Sequence, residues 1–556
     1  INAMSCPDAK IRGNVIISGC KAGWNYDSST QNETGEGGAI NFENQNLTIS
    51  GSVQINNCSA VNGGGIRYNA TGKTLTMEGG SLTGNNAAGN GGAIYVSSGT
   101  CNINENGTTT TFVGNSATNG GAVYVAASAS LHTDGIARFY RGSATNGGAI
   151  YTAGTTQLDG NTYIGDSTTK DDDNNDVVYA NTAVKGGGVY VNGGTTTVTG
   201  STIIQYNKVQ SSINDDFTAN NGGALFLAGG TLNISGSAQI AHNEAQDRGG
   251  AVYTAGGTLN ISGNASVSDN TAHNSEGGGG LYIYNAALNM SGGTIENNKV
   301  VNASNEVHGQ GGGVRLANSG VTFTMSGGEI SGNQSGDGAG VYMTNDSLFS
   351  MTGGAISGNT ATGNGGGIYH GSTGALTIAG TVTDGVSNVQ ISGNTANGNG
   401  GGICIADGFE PTVTLTNVSL TGNSAVNGGG IKDTSLWKRT TMTLTGCDIS
   451  GNTATQNGGG IWYGAGTFRM TGGKLDGNTA TNGSGGGLYN DNTDRVKSIE
   501  FSGVEISDNT AKNSGGGIYA DRVSLKNGTD ITGNRITQAT QANGGGAYVK
   551  RCIWLD

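Results

Sequence analysis

The feature that most constrains this chain is a five-residue motif, Gly-Gly-Gly-Ile-Tyr at Gly365 to Tyr369, that returns with small changes eighteen times. The copies begin at Gly37, Gly63, Gly91, Gly120, Gly147, Gly186, Gly222, Gly249, Gly278, Gly311, Gly338, Gly365, Gly400, Gly428, Gly458, Gly485, Gly515 and Gly544, and no two successive copies lie more than 39 residues apart. A period between about 20 and 50 residues marks one supersecondary unit stacked many times. In such a stack each unit needs to touch only its neighbours, so 556 residues are read as one continuous domain, 1–556, part of a longer chain, and not as three or four globular lobes.

Within one period, Met351 to Gly380, three short apolar-alternating pieces appear: Ile368-Tyr369 after the glycines, Leu376-Thr377-Ile378, and the piece ending in Ile356. Each is bounded by Gly, Asn or Thr, the pattern of a short strand with one buried face. No useful 3.6-residue periodicity occurs, so helix is not expected. Three strands per period, joined by turns too short for crossover helices, predict an all-β fold. It is a right-handed parallel β-helix of about eighteen coils, a rod of roughly 85 Å at about 4.8 Å per coil. Glycine supplies 106 residues and proline two. Without a Gly-X-Y period this is not collagen; the glycines serve sharp turns and close backbone packing.

Asparagine follows a third-strand apolar residue by three positions at Asn85, Asn115, Asn243 and Asn270, and in every coil from Asn333 to Asn509. Stacked in register, these side chains form an amide ladder that serves the turn backbone, a structural role. The residue after the Ile or Val is aromatic in thirteen copies: Tyr95, Tyr124, Tyr151, Tyr190, Phe226, Tyr253, Tyr282, Tyr342, Tyr369, Trp462, Tyr489, Tyr519 and Tyr548. The exceptions are Asn41, Arg67, Arg315, Cys404 and Lys432, and the charged ones imply that the position faces water. The expected result is an exposed aromatic stripe, read either as stacking that shields the glycine turns or as a binding platform for sugar rings or a protein partner.

The net charge of −13 and the lack of a basic stripe argue against nucleic acid and against an anionic membrane surface. No apolar run is long enough to cross a bilayer as a helix. Seven cysteines do not make a disulfide scaffold. Cys20 and Cys58 fall at the same point of successive repeats, so stacking brings them within disulfide range; Cys6 is an alternative partner. Cys101 and Cys447 fall at inward positions and read as buried thiols. The period is interrupted near 21–36, 166–178, 208–221, 299–310 and 381–388. The run Asp171 to Asp176 is rich in oxygen ligands but lacks the glycine and glutamate of an EF-hand loop, so it reads as a solvated acidic loop.

Phe112-Val-Gly-Asn115 followed by Gly120-Gly-Ala-Val123 resembles the paired FxxN and GGA[ILV] motifs of the polymorphic outer membrane protein family. Gly91-Gly-Ala-Ile94, Gly147-Gly-Ala-Ile150 and Gly249-Gly-Ala-Val252 resemble the second motif. The repeats are similar also to those of adhesin-like β-helix proteins of gut bacteria and methanogens. The resemblance implies a right-handed β-helix displayed extracellularly at a cell surface and names no receptor; the partner expected separately is a surface protein or glycan of a host or neighbouring cell, or a second copy of the chain. Most copies here read Gly-Gly-Gly and Ile-x-Gly-Asn, a departure from the family pattern.

A non-catalytic adhesin or rigid stalk is therefore the leading expectation, with no cofactor and no metal. The alternatives are a self-assembling filament or surface layer and a polysaccharide-binding or polysaccharide-degrading β-helix. The enzyme alternative needs paired carboxylates, yet no two adjacent coils read as carrying Asp or Glu in place of outward Thr or Asn. The five histidines, His132, His242, His273, His308 and His370, are scattered.

Overall fold

A computed structural model describes residues 2–3, 8–22, 25–27, 32–103, 108–166, 169–170, 176–177, 179–210, 220–435, 440–491, 496–538 and 543–555. The chain forms two compact units, Ile1–His273 and Asn274–Asp556. Each is a parallel β-solenoid, and no helix occurs among the described residues. Together they make about sixteen turns, close to the eighteen expected. The glycine motif marks only a first strand, whereas a turn needs its whole circuit.

The three pieces that the alternation predicts are strands Ile368–Ser372, Leu376–Ala379 and Gly354–Ser357, and the coil of unit 2 that carries the reference motif closes with Val389–Ser392, the partner of Gly354–Ser357 one coil on. A fourth, two-residue strand follows at Thr395–Ala396 and pairs in parallel with Thr360–Ala361 and Ser424–Ala425. This fourth stack was not anticipated, because two residues carry no readable alternation. Its alanines Ala361, Ala396 and Ala425 join Ala339 in a small buried cluster that only methyl-sized side chains fill.

Register is held by like-on-like columns. In unit 2, Ile368, Ile403, Ile431, Ile461, Leu488 and Ile518 stack coil on coil, each fully buried. On the third strand Ile356, Ile391, Leu420, Ile449, Leu475 and Ile506 do the same. In unit 1 the first-strand column is Ile66, Ile94, Val123, Ile150, Val189, Leu225 and Val252. Burying each aliphatic side chain contributes about 1.5–3 kcal/mol. A one-residue slip turns the whole set outward, so register is strongly specified.

The glycines answer two separate demands. Gly365 has φ +67°, a conformation that L side chains rarely adopt. A Cβ on Gly366 would lie 2.6 Å from both the Gly401 and the Thr395 carbonyl oxygens. That closeness lets the glycine turns bond coil to coil, with Gly366 N–H donating to Gly400 O at 3.2 Å and Gly367 N–H to Gly401 O at 3.0 Å.

Three of the expected interruptions contain antiparallel pairs: Asn25–Asp27 with Asn32–Thr34, Thr169–Lys170 with Asp176–Val177, and Val382–Thr383 with Val386–Ser387. At 299–310 the chain closes a small loop through a Val301–Val307 bridge. Residues 171–175 of the acidic run and 211–219 of the 208–221 interruption lie outside the described residues, as does Cys6.

Candidate functional site

The amide ladder is the most regular side-chain feature. In unit 2, Asn333, Asn359, Asn394, Asn423, Asn452, Asn478 and Asn509 are fully buried. Each backbone N–H and each Nδ2 donates to the Oδ1 of the asparagine one coil on, as from Asn394 to Asn423 at 3.0 Å in both cases. The second Nδ2 proton goes to a third-strand carbonyl one coil back, as from Asn423 to Ile391 at 2.9 Å. Every amide donor is satisfied, and a buried amide stays cheap only on that condition. The ladder also holds Asn181, Asn207, Asn298 and Asn534. Asn207, Asn298 and Asn534 follow the same spacing, three positions after Ile204, Ile295 and Ile531; Asn181 is separated from its strand by the 166–178 interruption.

A second, half-buried ladder, missed in the sequence, precedes the glycines. In unit 2, Asn364 donates to Asp337 at 3.1 Å, Asn399 to Asn364 at 3.0 Å and Asn427 to Asn399 at 3.1 Å. In unit 1 the chain of donors runs Asn146, Asn119, Asn90. The signal was present as Asn-Gly-Gly at most copies.

Cys20 and Cys58 occupy positions of the first ladder. Cys58 N–H donates to Asn85 Oδ1 at 3.0 Å, just as an asparagine there would. Both are free thiols in the structure. The Cys58 sulfur points to the Asn56 carbonyl at 3.3 Å and the Ile17 carbonyl at 3.9 Å, and burial pushes its thiol up from the ordinary range. Cys101 and Cys447 are buried thiols, as the inward alternation requires; Cys404 is also buried and Cys552 exposed.

The aromatic residues do form columns in strand register. In unit 1, Tyr124 and Tyr151 stack at 4.7 Å, Tyr151 and Tyr190 at 5.1 Å, and Tyr190 and Phe226 at 5.0 Å, all within 9° of parallel. Tyr95 and Tyr253 lie tilted at either end. In unit 2, Tyr342 stacks on Tyr369 at 4.8 Å, and Trp462, Tyr489, Tyr519 and Tyr548 follow one another at 6.1, 4.8 and 5.2 Å.

The expectation of a fully exposed stripe needs correction. Phe226, Tyr253 and Tyr282 are at most 2% exposed, and the other ten positions are half-buried. The charged exceptions do not mark open water either. Arg315 and Lys432 are 7% and 6% exposed. The Arg315 guanidinium lies between Tyr282 and Tyr342, 5.4 and 5.2 Å from their ring centres, and the Lys432 ammonium sits on Trp462. A cation in a ring column is sheltered by the rings that attract it. Successive rings cover one another's faces, so the column presents edges outward, whereas a sugar stacks on a face. Burial, with neighbouring tyrosines adding to it, pushes Tyr151 up to about 12.

Around Lys432 the chemistry is muted. Burial draws its amine down to about 6 and pushes the Cys404 thiol up to about 12, so neither is a thiolate–ammonium pair at neutral pH. On the inward side, Asp433 is buried and accepts from the Ser435 N–H at 3.1 Å and the Thr440 hydroxyl at 3.1 Å; burial raises it to about 6. His370 stacks between Met343 and Ile405 with neither ring nitrogen hydrogen-bonded, and burial lowers it to about 4. His273 is hydrogen-bonded to Glu244 at 2.8 Å, and Lys208 also reaches Glu244 at 2.8 Å.

One expectation about acids is overturned. Strand register places Glu505 directly beside Asp530 on adjacent coils, with Asp448 two coils from Glu505 and Lys474 between them. Coils of unequal length hid this column in the sequence. No group of three or more His, Cys, Asp or Glu side chains suited to a metal occurs among the described residues.

No curated protein and no solved structure matches the chain. The model of the Chlamydia polymorphic membrane protein repeat matches residues 109–126 and 503–521, one segment in each unit. Both segments run from a third strand through the ladder asparagine to the glycine turn and the aromatic position, so the likeness carried by Phe112 to Val123 extends to the coil that ends in Tyr519.

Proposed function

We propose that this chain is a non-catalytic repeat protein displayed at a microbial cell surface, acting extracellularly as an adhesin or as a stiff spacer. The observation that carries the reading is the repeat match at residues 109–126 and 503–521, set in coils whose backbone and amide groups bond coil to coil. Two physical properties support it. Backbone groups paired above and below give few sites for local opening, which suits a protein exposed to proteases. A net charge of −13, with charged residues only 12% of the sequence, favours solubility over adsorption to anionic surfaces. The partner this reading calls for is a protein or glycan of another cell.

The test uses intact producing cells. Antibody raised against the purified chain labels unlysed cells, external protease removes the label, and Fab fragments reduce attachment to a cell monolayer. Label that appears only after lysis overturns surface display; display without any Fab effect leaves the spacer role and removes adhesion.

A further inference from the structure

The interruption at 381–388 is a built wall. Val382–Thr383 and Val386–Ser387 pair around Asp384-Gly385, both with positive φ, the geometry of a two-residue hairpin turn. Its base is tied to the coils on either side: Asn388 Nδ2 donates to the Thr352 carbonyl at 3.1 Å, and the Ser387 hydroxyl donates to the Asn417 carbonyl. Val382 and Val386 are 51% and 63% exposed, on a surface with few large apolar side chains.

Between this wall and the third-strand face runs a groove of about 490 Å³. Its far side is the outward column Ser419, Asp448, Lys474 and Glu505, one residue per coil in parallel register. Coils rise about 4.8 Å each, so the column alternates hydroxyl, acceptor, donor and acceptor along a line. Lys474 reaches Asp448 Oδ2 at 3.3 Å, while Asp448 Oδ1 is buried without a hydrogen-bond partner. The floor backbone is already used: Asp448 N–H donates to Val418 O, Lys474 N–H to Cys447 O and Glu505 N–H to Gly473 O.

We infer that this groove binds a linear neutral oligosaccharide lying along the coil axis, about one ring per coil. The valine methyls take the C–H faces of the rings. The facing column of Ser419, Asp448, Lys474 and Glu505 takes hydroxyls. Mixed apolar and polar lining of this kind is that of a ligand site. A peptide strand finds no free backbone edge on this floor, and a polycation meets Lys474 in the middle of the acids. The inference rests on the reading of the chain as a displayed binding protein, but sugar binding by purified protein is measured without any cell, so either fails alone.

The experiment titrates the 556-residue chain with xylohexaose, mannohexaose, cellohexaose and chitohexaose, by calorimetry and saturation-transfer NMR. At least one hexaose binds, and Val386→Asp and Asp448→Ala each weaken it tenfold or more with unchanged circular dichroism. Tyr489→Ala, on the aromatic column, leaves it unchanged. The inference is overturned if none of the four binds, if both groove variants bind as the parent does, if Tyr489→Ala removes binding equally, or if hexalysine displaces the sugar.

Discussion

Replacing Asn423 by alanine tests whether the amide ladder holds the coils together. Asn423 is fully buried and takes part in four side-chain hydrogen bonds. Its Oδ1 accepts from the Asn394 N–H and Nδ2, each at 3.0 Å, and its Nδ2 donates to Ile391 O at 2.9 Å and Asn452 Oδ1 at 3.0 Å. At about 1 kcal/mol net for each of the four, the loss comes to about 4 kcal/mol. In a stack of nearest-neighbour contacts the loss is local. A global melting temperature is therefore the wrong observable, and hydrogen exchange is the right one. Peptides covering residues 390–396 and 420–426 exchange about a thousandfold faster, the factor that 4 kcal/mol implies. Peptides several coils away are unchanged. Asn534→Ala is the control: Asn534 is only half-buried, its Nδ2 also bonds the exposed Thr532 carbonyl at 2.9 Å, and water replaces what is lost, so the change stays below tenfold. An effect below tenfold for Asn423→Ala, or an equal effect throughout the unit, refutes the reasoning.

Gly366→Ala puts a Cβ 2.6 Å from the carbonyl oxygens of Gly401 and Thr395 and is expected to abolish native exchange protection in that turn, whereas Gly358→Ala meets nothing within 4 Å and costs only the strain of φ +60°, about 1 kcal/mol by urea denaturation. His370 is buried neutral, with its pKa lowered from 6.5 to about 4. Its contribution is whole above pH 6.5 and is lost as pH falls toward 4, by about 3 kcal/mol; His370→Leu removes that part of the acid sensitivity, and parallel urea curves of both proteins at pH 7.5 and 4.5 read the difference. Treating the folded chain with diamide is expected to link Cys20 to Cys58, seen as one cross-linked peptide by mass spectrometry, while Cys101, Cys404 and Cys447 stay unmodified until denaturant is added.

The parts of this fold that were legible in the sequence are those that repeat with one residue type at one offset. The glycine turn, the inward aliphatic columns and the first amide ladder each ask the same physical question in every coil, so composition at a fixed position answers it. What escaped notice depends on registers between coils of unequal length. Glu505 and Asp530 stand side by side only because 25 residues separate them once the turns are folded away, and a spacing of 25 looks like no motif. Asp384-Gly385 is a strong hairpin signal, but it stands inside an interruption of the period, where the repeat offers no register to read it against. The aromatic positions were placed correctly and their exposure was not. Alternation says that Tyr151 points away from the core, but only the stack shows that Tyr124 and Tyr190 occupy both of its faces. The same logic accounts for the break at Gly142, where the ladder side chain is missing and the backbone N–H reaches Asn181 Oδ1 directly at 2.8 Å. A repeat position tolerates exchange when a neighbouring coil supplies the missing partner. The structural positions are thus uniform because each coil is the next one's partner. Binding chemistry is accordingly to be sought where that reciprocity stops: at the hairpin on 381–388, whose exposed valines have no copy in the coil above or below.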